Sequence, residues 1–533
     1  MRLRPFLALF IVLIAPVAHA QTTPANPCGM VDAIDLPLDN ISEDYDDFGL
    51  YRPNFGGNHT GLDIGFGRWG DPVHAAARGL VTLSNVEEWG TEKGVVVLEH
   101  TFPDGSIFYT VYGHMEQTDT ISFPKLGACV QKGDVVGAVG WPSRGKPHLH
   151  FEVRDFLPNE GGPGYVSGNP LDEGWYHPLD FVNLWRARLS PAFISDVQFS
   201  RVPMLPPVTL DSGMIVIANG NLIEGVLPPK TVEWRIETDG IVTGLAALPA
   251  HRVVVHTHNG QVVVLQDGRY MALWTVDGLD EPFVALGETL VFLTSDGGLA
   301  AYDPSGKPLW TVSGATPNID QFASNGTTIV LAATGKDGTN WWLFDSSGKK
   351  IYETHFGSTP AMVSQPGGGW LVLDETQLWR VAGGKQTLLA SLPLSAERNA
   401  RLAADPQGNI YLYMNDVDKT LMALDPTGQM RWRVRYASYP PPILPPLVRV
   451  GNGCLLYTLD LDGTLNVINT ADGALLNQMH LYAGGDESGN PRARLLNVDS
   501  EERVQMVSGF LTFVTFDGWK LGGDAVAACR NQT

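Results

Sequence analysis

The 533-residue chain is poor in cysteine: it has four, none adjacent to another and none spaced Cys-x-x-Cys. Sulfur ligation of zinc and dithiol redox chemistry both use that close spacing, so neither is expected. Basic residues are also scarce. Only 36 Lys and Arg stand against 57 Asp and Glu, giving a formal net charge of −21. Affinity for phosphate backbones comes chiefly from such cations, so nucleic acid is not an expected partner. No apolar run reaches the ~20 residues of a membrane span. The apolar run Phe6 to Val17 follows Arg2 and Arg4 and ends before Ala18-His19-Ala20. That pattern reads as a secretory signal peptide over 1–20 and predicts an exported chain, periplasmic or extracellular, with no membrane span once mature. A His-Glu-x-x-His motif, with its built-in glutamate base, is absent as well.

Short β-branched or apolar runs bounded by Gly, Pro and Asp are present instead. Residues 21–47 are an acidic lead-in with Pro24, Pro27 and Pro37. From Phe48 strands are predicted at Leu62 to Gly65, Pro72 to Ala77, Gly79 to Val86, Gly94 to His100 and Ile107 to Tyr112. A hairpin is expected around Lys132-Gly133-Asp134. The run Leu149-His150-Phe151-Glu152-Val153 alternates apolar with polar, so on a strand His148, His150 and Glu152 share one face.

Three histidine motifs follow one another: His59-x-x-x-Asp63, Tyr112-Gly-His114, and His148-Leu-His150-Phe-Glu152. In this order they resemble the lysostaphin-type zinc metallopeptidases, which cut peptide bonds in bacterial cell-wall peptidoglycan. The resemblance spans about Tyr51 to Trp185 and implies a metallopeptidase β-sheet domain of the duplicated hybrid motif type over 48–186. It implies that His59, Asp63 and His150 hold Zn2+. His114 and His148 would be the catalytic pair, one taking a proton from water and the other hydrogen-bonding the oxyanion, with the division between them open. Glu152 either orients a ligand imidazole or lies on the surface. The loop Trp141 to Pro147 departs from the family pattern in bulk and charge, which bears on substrate choice. His74, His100 and His177 match no required position and are read as structural.

Residues 187–210, with several prolines, read as a linker. Beyond it a unit recurs: Asp303-Pro-Ser-Gly306 before Trp310, Asp345-Ser-Ser-Gly348 before Tyr352, and Asp425-Pro-Thr-Gly428 before Trp432. Weaker copies surround Gly268, Gly384 and Gly473. A period near 40–45 residues with four short strands per unit predicts a β-propeller. The region 211–533 resembles quinoprotein-like repeats and is expected to form about seven blades, closed by combining Gly213 to Arg235 with Phe510 to Gly523. Quinone-dependent dehydrogenation is disfavoured, because those enzymes typically carry adjacent cysteines. Asp460-x-Asp462-Gly463 reads as a hairpin turn rather than a calcium loop, since it lacks the distal Glu.

The fold class expected is therefore all-β in two domains. Four cysteines allow three connectivities; Cys28 with Cys129 and Cys454 with Cys529 keeps each bridge inside one domain. The function expected is an exported zinc metalloendopeptidase acting on peptidoglycan peptides, with the propeller docking a protein or glycan partner. The alternative is a non-catalytic binding module working through the propeller.

Overall fold

A computed structural model describes residues 27–39, 41, 47–157, 161–162, 164–198, 205, 207–227, 232–276, 282–314, 318–365, 367–392, 400–414, 420–435, 447–460, 463–481, 496–499, 501–508 and 512–531. The expected signal peptide and Asp462 lie outside the described residues.

The valine-rich strand Gly94–Thr101 pairs antiparallel with Ile107–Glu116 inside a nine-stranded sheet. Leu149–Arg154 pairs with the other edge of Ile107–Glu116. Along its far side run Leu62–Ile64 and Trp175–Tyr176. Leu149, Phe151 and Val153 enter the hydrophobic core. His150, Glu152 and Arg154 take the opposite face, and that face is buried too. Burial on both sides is why this strand can hold ionisable groups in fixed rotamers.

The turn at Lys132–Asp134 is not a hairpin, contrary to expectation. Cys129–Val130 pairs with Gly79–Asn85, whereas Val135–Val139 pairs with Pro72–His74 and Ile107–Glu116. Ala75 draws the turn away: its carbonyl accepts from Gly133 at 2.9 Å and its N–H donates to Asp134 at 2.8 Å.

The longest helix among the described residues, Pro178–Arg188, interrupts the β pattern. Proline opens it, His177 caps it by accepting from the Asp180 N–H, and Arg186 and Arg188 end it, each where helix ends favour them. Leu179, Phe181, Val182 and Trp185 pack into the core of the first domain, and Ala187 belongs to the core of the following one. The helix therefore joins the two.

Eight four-stranded antiparallel sheets follow among the described residues. Inner strands of successive sheets lie side by side, from Val242–Leu248 against Phe283–Leu286 to Leu447–Val450 against Leu496–Val498. The count exceeds the expected seven by one. Gly213 to Arg235 does not combine with the C-terminal stretch: it builds a sheet with Val208–Thr209. The C-terminal strands Leu496–Val498, Arg503–Ser508 and Thr512–Asp517 are completed by Phe193–Gln198, which lies within the predicted linker. Ring closure thus uses a strand from each end of the domain. Thr209 Oγ1 donating to Gln505 at 3.2 Å ties the first sheet to this last one.

The repeat has a local cause. Asp303 accepts from the N–H groups of Ser305 and Lys307 at 2.9 and 3.0 Å, and Gly306 takes φ +88°. Asp345 and Asp425 do the same. The aromatic seven residues on reaches the next sheet. Trp310 Nε1 donates to the Ser346 carbonyl at 3.0 Å, and Trp432 Nε1 to that of Thr470 at 2.7 Å. Asp460 and Gly463 form the expected hairpin turn between Leu455–Leu459 and Thr464–Asn469. The disulfides are Cys28–Cys129 and Cys454–Cys529, as expected.

Candidate metal centre

Strand register assembles the site. His150 lies opposite Asp63 on one neighbouring strand and opposite Gly113 on the other. A side chain at Gly113 would occupy the place of the Trp89 ring, whose edge packs on His114 and His150 at centroid separations of 4.9 and 5.6 Å. His59 ends the strand Gly57–His59, four residues before Asp63.

His59 Nε2, Asp63 Oδ1 and His150 Nδ1 converge, separated pairwise by 2.9 to 3.3 Å. Bonds of ~2.0–2.2 Å at tetrahedral angles would set such donors ~3.3–3.6 Å apart. The observed separations are a few tenths of an ångström tighter, and two imidazoles with a carboxylate, all three buried, are a donor set suited to zinc once they open by that amount. His148 Nε2 approaches Asp63 Oδ1 at 3.6 Å, and the rings of His114 and His148 lie 4.6 Å apart. All five residues singled out in the sequence thus meet at one place.

In each histidine the nitrogen facing away from the centre is engaged by an acceptor. His114 Nδ1 donates to the Glu92 carbonyl and His148 Nδ1 to that of Lys146, both at 2.8 Å. His59 Nδ1 meets the Asp47 carbonyl at 3.2 Å and its carboxylate at 3.3 Å. His150 Nε2 meets Glu152 Oε1 at 2.9 Å. Oxygens of carbonyls and carboxylates only accept, so these nitrogens carry the protons. On a neutral ring the inward nitrogen is then the one left to present a lone pair.

Glu152 is fully buried, held by Thr60, by Trp175 Nε1 at 3.1 Å and by Arg154 at 3.4 Å. Of its two readings, the surface one does not hold, and the contact with His150 is the one the orienting reading requires. Burial opposes its charge, but hydrogen bonding to His150 keeps its carboxyl below the usual range. Asp47 was missed in the sequence, where it is one of several acids in the lead-in. It is fully buried and also accepts from the Asp63 N–H at 3.1 Å and from Arg52 at 2.6 Å.

Burial would lower His59, yet hydrogen bonds to Asp47 and Asp63 raise it to about 10. Burial likewise opposes the Asp63 carboxylate, but His150 and His59 hold it well below the usual range. His114 has no such partner: burial, with His148 and His150 beside it, pushes it down to about 3. His100 is lowered to about 4 by burial and sits between the Arg78 carbonyl and Thr110. It is structural, as is His74 on the Gly133 carbonyl.

The centre opens into a cleft of about 840 Å³. Phe55, stacked on Tyr165 at 4.5 Å, and Phe66, 5.4 Å from His148, provide apolar surface there.

Residues 57–165 match the model of Peptidase family M23, and residues 183–362 match that of the Outer membrane protein assembly factor BamB. No curated protein matches the chain. Among solved structures, BamB from Moraxella catarrhalis is 14% identical with a TM-score of 0.45, over 61% of this chain and 99% of that one. A quinohemoprotein alcohol dehydrogenase from Comamonas testosteroni is 12% identical with a TM-score of 0.43, over 62% and 76%. Likenesses this distant carry no argument about activity.

Proposed function

We propose, from a Peptidase family M23 domain set ahead of BamB-like repeats, that this chain is an exported zinc metalloendopeptidase that hydrolyses peptide bonds in cell-wall peptidoglycan. The observation that carries this reading is the arrangement around the centre: four outward nitrogens on acceptors, the inward nitrogens of His59, His148 and His150 gathered on Asp63, and the His114 ring 4.6 Å from that of His148. His59, Asp63 and His150 would hold zinc, which supplies Lewis acidity at neutral pH.

His114 enters the reaction neutral, because burial disfavours its charged form. Its Nε2 and that of His148 are the proton-handling atoms. One takes the proton of the attacking water and passes it to the leaving amine nitrogen, and the other, protonated from solvent before the attack, hydrogen-bonds the developing oxyanion. Glu92 and Lys146 hold both rings through main-chain carbonyls, so neither ring depends on a mobile side chain for its aim. Phe55, Tyr165 and Phe66 give the peptide an apolar wall and displace water from it. The two disulfides suit an oxidising, non-cytoplasmic compartment. The propeller serves as the docking module for a protein or glycan partner.

The test is release of muropeptides from purified sacculi by zinc-loaded protein. His114→Ala and His148→Ala are each expected to retain zinc and lose ~10²–10⁴-fold in rate. Full zinc occupancy with no peptide cut in any sacculus preparation would instead favour the alternative, a cell-wall or protein binding module.

A further inference from the structure

The loop 141–147 connects Val135–Val139 to Leu149–Arg154, and Arg144, Gly145 and Lys146 line the cleft from it. It is fastened to the centre, because the Lys146 carbonyl is the acceptor that positions His148. The other charged residues of the cleft are engaged. Arg52 is paired with Asp47, Asp63 faces His59 and His150, and Glu92 accepts from the Ser143 hydroxyl. Arg144 and Lys146 are exposed, and among the described residues neither forms an ion pair. The only aromatic partner of Arg144 among them is Phe55, whose ring centre lies 6.0 Å from the guanidinium carbon.

The chain carries 57 carboxylates, yet none of the described ones is spent on these two cations. Two cations lining the cleft, unpaired among the described residues, run against a net charge of −21. A guanidinium offers a planar fork matched to a carboxylate, and an ammonium beside it adds a point charge. With aromatic surface also lining the cleft, the site offers an apolar strip and a cationic strip to one extended peptide.

We propose that Arg144 and Lys146 select peptides carrying a free carboxylate beside the bond that is cut. This rests on the peptidase reading and names its substrate class: anionic peptides rather than neutral or amidated ones. A charge-assisted hydrogen bond of this kind is worth about tenfold or more in affinity.

The test compares cross-linked muropeptides with the same molecules after carbodiimide amidation, using the zinc-loaded full chain. The free-acid form is expected to show at least about tenfold higher kcat/KM, carried by KM. In Arg144→Gln/Lys146→Gln the ratio between the two forms should fall toward one. A wild-type ratio near one, or a ratio the double variant leaves unchanged, overturns the carboxylate assignment while the peptidase reading stands. If wild type cuts neither form, the peptidase reading fails, and calorimetric titration of the same two peptides decides the assignment. Tighter binding of the free acid by wild type alone keeps it, and equal binding overturns it.

Discussion

A buried histidine is ordinarily driven neutral, as His100 and His114 are, but His59 is driven the other way because two carboxylates reach it. Its raised value exceeds the ~6.5 of an unfolded histidine. Its contribution to the metal-free fold is therefore fully present below ~6.5 and is lost as pH rises through about 10. Metal ligation needs the neutral ring, so ion binding must expel that proton. His150 is raised too, by its hydrogen bonds to Asp63 and Glu152, so below about 10 zinc affinity is expected to rise at least about tenfold per pH unit, with at least about one proton released per ion. Calorimetry at pH 7.5 in buffers of different ionisation enthalpy measures this, and zero protons would contradict it. Asp47→Asn keeps the side-chain shape and removes the charge behind His59. An outer partner of this kind is typically worth 10–100-fold in metal affinity. Competition with a chromophoric chelator is expected to show that loss, and unchanged affinity would demote Asp47 to a folding role.

At the scale of elements, the propeller is held by an interlock repeated between neighbouring sheets. Trp274 packs over Gly306, Trp310 over Gly348 and Trp432 over Gly473, each glycine belonging to the turn of the next sheet and each at positive φ. A Cβ on Gly348 would lie 2.5 Å from the Trp310 ring, and φ there is +81°. Gly348→Ala is therefore expected to cost about 1–3 kcal/mol from the backbone strain alone, with the clash added. Chemical denaturation of the full chain would read it as a lowered midpoint for the propeller transition. An unshifted midpoint would mean the tryptophan can slide aside without loss.

The whole molecule is tied together between residues 178 and 198. The helix Pro178–Arg188 packs in the first core and delivers Ala187 to the second, and Arg188 pairs with Asp196 on the strand that closes the ring. A peptidase fragment should accordingly keep the helix, whereas a propeller fragment needs Phe193–Gln198. A propeller beginning at residue 211 leaves Thr512–Asp517 as an open edge, a template for unwanted pairing. It is expected to melt lower and to aggregate more than one beginning at residue 190. Equal melting temperatures and equal monodispersity would show the closing strand to be dispensable.

The sequence by itself determined the elements whose cause is local. Alternation marked the His148–Glu152 face, and Asp-x-x-Gly with an aromatic seven residues on marked the repeats, because turn chemistry and strand period are written in adjacent residues. The order of three histidine motifs was legible for the same reason. Tertiary structure alone decided what depends on distant pairing. It chose Ala75 as the partner of the Lys132–Asp134 turn and inserted Phe193–Gln198 into the last sheet, giving eight sheets. It also buried Asp47 behind His59, twelve residues away and indistinguishable by composition from its acidic neighbours. A side chain's proton is set by the groups that crowd it, and those are known only once the chain has brought them together.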